Sequence, residues 1–247
     1  MRCPEDHFSA IAPQYSRGRF GYPSGLFDFL STLCREHDLA WDCATGNGQS
    51  ATALAERFKR VVATDISSEM LARGKPHSKV AYRCEPAESS TLETGSVDLV
   101  TVAQALHWIE HERFWSELER VSKRAAIFSY WSYLWPSVGE EIDAWLSQFR
   151  TLIGPHWPQK SRLVHREYRE LAIPFSSIPS PGFEISASWR REDCVAHLES
   201  WSAVRYAREA GLCGPIEELF SKLEEAWPSD DARRVRWPLL MGVYRIK

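Results

Sequence analysis

The stretch from Leu39 to Phe58 limits the possible folds more than any other part of the chain. Leu39-Ala40-Trp41-Asp42-Cys43-Ala44 is a short apolar run that stops at the turn Thr45-Gly46-Asn47-Gly48. Behind the turn, Ala51, Leu54, Ala55 and Phe58 recur at helical spacing, so the pattern reads strand, tight turn, helix. The unit then repeats, with Val61 to Thr64 as a second strand, Ser67 to Arg73 as a short helix and Val80 to Cys84 as a third strand. Val97 to Ala103 is the strongest strand signal; Phe114, Leu118 and Val121 mark the next helix, and Ala125 to Tyr130 a fifth strand. Strands alternating with helices predict a parallel sheet with helices on both faces. Upstream, Ser24 is placed to cap a helix carrying Leu26, Phe27, Leu30, Leu33 and Cys34 that ends near His37.

Beyond Tyr130 the rhythm breaks. A helix with Val138, Ile142, Trp145, Leu146 and Phe149 leads into a stretch rich in Pro, Ser and His, which reads as a cap. A sixth strand over Phe183 to Trp189, helices over 191–202 and 216–227, and a final apolar strand over Leu239 to Ile246 follow. The expectation is one α/β domain, a doubly wound, mostly parallel seven-stranded Rossmann-like sheet with an inserted helical cap. Its parts would be an N-terminal lid (1–23), a cofactor-binding core (24–130), the cap (131–182) and a C-terminal part completing the sheet (183–247).

A chain of 247 residues can bury a substantial core. With a net charge of −3 it lacks the basic field that would hold nucleic acid or an anionic membrane. No apolar run approaches the roughly 18 residues of a membrane helix. The densest basic cluster, Arg233, Arg234 and Arg236, reads as a solvated face. Cys3, Cys34, Cys43, Cys84, Cys194 and Cys213 are scattered, without a C-x-x-C pair or a zinc-like spacing. They read as reduced thiols in a cytoplasmic protein that needs no metal, and Met1 to Phe8 lacks the apolar stretch of a signal peptide. Oligomeric state leaves no mark on the sequence.

Gly46-Asn47-Gly48-Gln49-Ser50-Ala51 also satisfies the G-x-G-x-x-A dinucleotide fingerprint. Glycine suits any ligand that approaches the backbone at a strand-to-helix turn. Asp65, ending the second strand, can accept ribose hydroxyls for either kind of cofactor or cap the following helix. Asp42 separates the two. It stands where a dinucleotide would place its pyrophosphate, which it would repel, yet it suits the ammonium and sulfonium of S-adenosylmethionine. Its plainer reading is a cap on its own turn. Pro86-Ala87-Glu88 after the third strand is placed to line an adenine pocket, and Gln104-Ala105-Leu106-His107-Trp108 after the fourth stands at the mouth where a methyl group would point.

With these segments in place the chain resembles the class I methyltransferases close to trans-aconitate methyltransferase. The likeness rests on Asp42 through Gln49, on Ala63-Thr64-Asp65-Ile66-Ser67 with Met70-Leu71, on Ala87-Glu88 and on Ser96-Val97-Asp98-Leu99-Val100 through Trp108. An opening segment, His7-Phe8-Ser9 leading to Tyr15, Arg19, Tyr22 and Pro23, resembles the group as well. The chain departs from the family at Ala44, often glycine, and at Phe20, often proline. The resemblance implies S-adenosylmethionine as cofactor, S-adenosylhomocysteine as product, and a small-molecule acceptor, a carboxylate first. It assigns the cofactor to Asp42, Ala44, Gly46, Gly48, Gln49, Asp65, Ile66, Met70, Ala87, Glu88, Gln104, Ala105 and Trp108, with Tyr15 from the lid.

Methyl transfer from a sulfonium is an in-line displacement, whose main demand is positioning. A carboxylate acceptor is already ionised and needs no base. A phenol, amine or thiol would use one, and His107 is the first candidate, with a packing role as its alternative. Arg19, Tyr22, Trp108 and Trp131 are candidates for the acceptor side, and some of the 11 tryptophans would line a flat pocket while others fill the cap interface. Two other readings stand beside this one: N- or O-methylation of an aromatic or heterocyclic metabolite, and a non-catalytic cofactor-binding protein on the same fold.

Overall fold

The computed structural model describes residues 21–228 and 231–246. Five strands, β1 (Leu39–Cys43), β2 (Arg60–Asp65), β3 (Val80–Cys84), β4 (Val97–Ala103) and β5 (Ser122–Tyr133), are joined in parallel. The complete sheet has eight strands in the order β3-β2-β1-β4-β5-β8-β6, with β7 (Phe183–Trp189) also on β8. β8 (Arg233–Arg245) runs antiparallel to β5, to β7 and to the two-residue β6 (Ser176–Ser177), an addition to the seven strands expected. All five residues of β1 are buried, as a central parallel strand covered on both faces must be. The chain order reverses between β1 and β4, so the crevice for a ligand opens at the carboxyl ends of these strands.

Three expected boundaries move. β5 starts at Ser122 and continues to Tyr133, because its far half pairs with β8 (Tyr130 with Gly242, Trp131 with Met241, Tyr133 with Leu239); residues 131–133 therefore belong to the sheet. β8 begins at Arg233, well before Leu239. Along its first half Val235, Trp237 and Leu239 are buried while Arg234 and Arg236 are exposed, which is the period of two of a strand with one wet face. Arg234 and Arg236 are thus that strand's outer side, where Arg234 meets Glu184 of β7 at 3.1 Å, while Arg233 lies over the Trp227 ring.

Helix α1 (Ser24–Leu33) has Pro23 at its N-cap, with Ser24 already helical. It buries Leu26, Phe27 and Leu30 and stops at Leu33, short of His37, whose Nε2 lies 3.0 Å from the Ser31 carbonyl. The next helices are α2 (Gln49–Ala55), α3 (Ser68–Leu71), α4 (His111–Val121), α5 (Glu140–Ile153) and α6 (Arg162–His165). The helix expected over 191–202 is two, α7 (Arg191–Glu199) and α8 (Ser202–Glu209), and α9 (Cys213–Ala226) precedes β8. One core holds α1, α2, α5 and the C-terminal helices through Phe27, Leu54, Phe149 and Trp227; a second holds α4 through Trp41, Phe114, Trp115 and Phe128. Five cysteines are described and all are free. Among the described residues no helix is long and apolar enough to cross a membrane.

The amino edge of the sheet is pinned by Asp98. One of its oxygens accepts the backbone N–H groups of Asp38 and Leu39, each at 2.9 Å, and the other meets Lys123 Nζ at 2.9 Å. That brace ties β1, β4 and β5 together at one end and leaves loop variation to the other, where the candidate site lies.

Candidate active site

The chain leaves β1 through three left-handed residues, Ala44 (φ 53), Gly46 (φ 59) and Gly48 (φ 80). Ala44 adopts without glycine's freedom a conformation that glycine reaches readily. A Cβ on Gly46 would come within 3.3 Å of Met70 Cε, and one on Gly48 within 2.2 Å of the Tyr82 hydroxyl. This corrects the expectation that both glycines make way only for a ligand: Gly48 also makes way for Tyr82. Met70 is buried against the turn, and Gln49 begins α2 directly behind it.

Asp42 is fully buried. Thr101 Oγ1 donates to its Oδ1 at 2.8 Å, and Thr45 Oγ1 donates to its Oδ2. Burial pushes its pKa up to about 6 against the opposing hydrogen bonds from Thr45, Thr101 and the Ala51 backbone. The carboxyl therefore braces its own turn and the neighbouring strand β4. Asp65 is more open. Its Oδ2 accepts from Gly46 N at 2.8 Å and its Oδ1 from Ser67 N at 2.9 Å, so both oxygens face the turn and the strand end. Ser67 in turn caps α3 by accepting from Met70 N.

Next to Asp65 stands Ile66, 41% exposed and the one exposed large apolar side chain among the described residues. An uncovered isoleucine at a strand end offers a flat apolar seat. Four stations thus follow the strands: the glycine turn after β1, Asp65 and Ile66 after β2, Ala87 and Glu88 after β3, and Gln104 to Trp108 after β4. Ala87 is buried, and Glu88 Oε1 accepts from Glu110 N at 2.8 Å, which ties the third station to the chain just beyond the fourth. The same loop is held from below by Glu117, which accepts from Ser90 N at 2.7 Å and from both Nε and Nη2 of Arg120.

At the fourth station Gln104 is left-handed (φ 61) and its N–H bonds the Trp131 carbonyl at 2.8 Å. Its Nε2 is buried without a hydrogen-bond partner. Ala105 leads into the 3-10 turn Leu106–Trp108. His107 is 9% exposed; its Nδ1 lies 3.0 Å from the Tyr168 hydroxyl, and its ring is 4.9 Å from that of Trp108. Burial first, then the charges of His165, Lys160 and His111, lower its pKa to about 3. So far below the ordinary imidazole range, His107 is neutral at neutral pH, which weakens it as the candidate base. Lys160 Nζ donates to the Trp108 carbonyl at 3.2 Å, so the segment after α5 folds over this mouth.

Tyr22 packs edge-on against Trp131 at 5.4 Å, and Trp131 is fully buried between Tyr22 and Phe27, which places it in the core behind the site. Tyr15 and Arg19 lie outside the described residues. Sequence reasoning missed Tyr168, Ser132 and Lys160, none of which sits in a motif; Thr45, inside the glycine turn, and Thr101, inside the Ser96–Trp108 span, were in reach. A cavity of about 390 Å³ lies at the opposite, amino edge, where Lys59 is paired with Asp38 and Lys79 with the Ala55 carbonyl. No group of His, Cys, Asp or Glu among the described residues is placed to hold a metal ion.

The methyltransferase domain family matches residues 41–129, the span from β1 into β5 that carries all four stations. A solved structure of a "Putative Type II Methyltransferase" from Anaeromyxobacter dehalogenans is 34% identical, covers 92% of this chain and 98% of its own, and superposes with a TM-score of 0.86. The chain belongs to the class I S-adenosylmethionine-dependent methyltransferases. A Dictyostelium discoideum protein named as a methyltransferase is 28% identical over 92% of this chain and 88% of its own length. An "Uncharacterized methyltransferase" of Mycobacterium tuberculosis is 33% identical over 60% of this chain and 58% of its own.

The methyltransferase's own geometry fits the cofactor of that family. A left-handed glycine turn, the Asp65 carboxylate at the next strand, an uncovered Ile66 beside it and the unpartnered Gln104 amide all stand at the carboxyl ends of the neighbouring strands β1, β2 and β4. When bound, the cofactor supplies an electrophilic methyl group on a sulfonium. The protein's part is to orient it, to bring an acceptor into line and to exclude water.

Proposed function

We propose that this methyltransferase methylates an oxygen of a small acceptor that arrives already ionised, a carboxylate. The observation that carries this reading is the state of His107 at the mouth: buried, with Nδ1 engaged by Tyr168, and surrounded by Lys160, His111 and His165. An imidazole so placed is a weak base, whereas the Lys160 ammonium near it favours an anion. In the transfer a carbon–oxygen bond forms as the carbon–sulfur bond breaks, the bonding pair passes to sulfur, and no proton moves. The resemblance to the trans-aconitate methyltransferase-like group supports the same acceptor class.

In this reading Gly46, Gly48, Gln49, Ala44 and Asp42 shape the methionine end of the cofactor site. Asp65 holds the ribose, Ile66, Met70, Ala87 and Glu88 enclose the adenine, and Gln104, Ala105 and Trp108 flank the sulfur. Residues beyond Tyr133 as far as β6 form the cap, and the free cysteines suit a reducing cytoplasm. A second reading, methylation of an aromatic metabolite, is favoured by the Trp135, Trp157 and Trp201 rings, which meet at 4.9 to 6.5 Å where the cap packs against the C-terminal helices. The test is transfer of a tritiated methyl group from S-adenosylmethionine to matched panels of carboxylic acids, phenols and amines. Base-labile methyl esters are expected; turnover confined to phenols or amines overturns the carboxylate.

A further inference from the structure

We infer that Tyr168, carried by the cap, is a positioning residue that holds His107 as the Nε2–H tautomer, so that the mouth of the site presents a hydrogen-bond donor to the acceptor's oxygen. The inference rests on the reading of His107 as part of the acceptor mouth. It begins with backbone. Glu167 (φ 56) and Tyr168 (φ 52) are consecutive left-handed residues, neither of them glycine, a conformation that L side chains disfavour. Strain of this kind persists where the surroundings over-determine it. Here Glu167 N bonds the Val164 carbonyl and Tyr168 N the Leu163 carbonyl, each at 2.8 Å, which reverses the chain after α6 and turns Tyr168 inward to 3% exposure.

The seat for its ring comes from the sheet. Tyr130 on β5 meets Tyr168 edge-on at 4.9 Å, and the Tyr130 ring lies over Gly242 of β8, where a Cβ would stand 2.3 Å from it. In that seat the Tyr168 hydroxyl is 3.0 Å from His107 Nδ1 and 3.5 Å from Ser132 Oγ. A phenol has one proton to give, and the nearer partner, an imidazole nitrogen, is a better acceptor than a hydroxyl. The consistent chain is therefore Ser132 O–H to Tyr168 oxygen and Tyr168 O–H to His107 Nδ1. With Nδ1 accepting, the proton of the neutral ring is on Nε2. The groups facing His107 are Tyr168 and Lys160 and His165 from the cap, Trp108 beside it and His111 from α4; none of them is a carboxylate that would favour the charged ring.

The experiment is long-range proton–nitrogen NMR on the full chain labelled at histidine nitrogens and saturated with S-adenosylhomocysteine, with His107→Gln used for assignment. The expected spectrum shows an unprotonated Nδ1 and a protonated Nε2 at His107, unchanged between about pH 5.5 and 8. The opposite tautomer, or titration inside that range, overturns the inference. Tyr168→Phe should release the ring into a mixture of tautomers, while Ser132→Ala should leave Nε2–H in place; if Tyr168→Phe does not fold, the wild-type spectrum still decides. With an acceptor in hand, Tyr168→Phe should lower kcat by about 10-fold with KM for S-adenosylmethionine unchanged and no new pH inflection. If carboxylates are not methylated but the tautomer is as stated, the acceptor class falls and the positioning role stands. Methylation of carboxylates with the reversed tautomer has the converse meaning.

Discussion

Asp65 Oδ2 accepts the backbone N–H of Gly46 at 2.8 Å, which locks the end of β2 to the glycine turn that leaves β1. One carboxylate thus shapes the turn, and in the proposed function it also holds the ribose hydroxyls. Asp65→Asn keeps the volume but replaces one acceptor with a donor facing an N–H. S-Adenosylhomocysteine affinity should weaken by roughly 1.5–3 kcal/mol, the worth of hydrogen bonds to a charged group. Calorimetry that finds unchanged affinity removes Asp65 from the site.

The buried Asp42 carboxyl makes cofactor binding depend on pH. Its folded pKa, about 6, lies above the ordinary 3.8, so its contribution to stability is present below pH 3.8 and is lost as the pH rises through 6. A cation bound nearby favours the ionised form. Binding of S-adenosylmethionine near pH 6 should therefore release protons, visible as a dependence of calorimetric enthalpy on the buffer's ionisation enthalpy. S-Adenosylhomocysteine, which lacks the sulfonium, should release fewer, and equal release by both would show that Asp42 does not sense the sulfur.

Glu117 behaves in the opposite sense. Burial would raise its pKa, but hydrogen bonds from Arg120 and Ser90 prevail and hold it near 2, below the ordinary 4.5. Its stabilisation is complete above pH 4.5 and disappears as the pH falls toward 2. Arg120 is 37% exposed, so solvent screening reduces the contribution to about 2 kcal/mol. Glu117→Gln should lower Tm at pH 7 and flatten the acid limb between pH 5 and 3; parallel acid limbs for the two proteins would refute the assignment.

Gly242→Ala should disturb a site it does not touch. The added methyl would stand 2.3 Å from the Tyr130 ring, whose displacement reaches Tyr168 across their 4.9 Å contact. We expect a loss of about 1–3 kcal/mol in stability from overpacking. The His107 nitrogen resonances should shift while S-adenosylhomocysteine affinity stays within about threefold, a change under 1 kcal/mol. Unaltered His107 signals would mean that Tyr130 does not seat Tyr168.

Much of the fold was legible because it is written in local periodicity. β3 and β4 occupy the residues their apolar runs predict, and the glycine turn with Asp65 follows from a strand, a turn and a strand end close together in the chain. What sequence could not supply depends on partners far away. Trp131 to Tyr133 are strand because residues more than a hundred positions later pair with them, and Arg233 to Arg236 are strand because the intervening Val235 is covered by the core. The same division runs through the site. Asp42, Gly46, Asp65 and Ile66 announce themselves by position after a strand, whereas Tyr168 lies in no motif and reaches His107, 61 residues away, only through a strained turn and a ring seated over Gly242. A side chain's type is local, but its protonation state depends on what the rest of the chain packs around it.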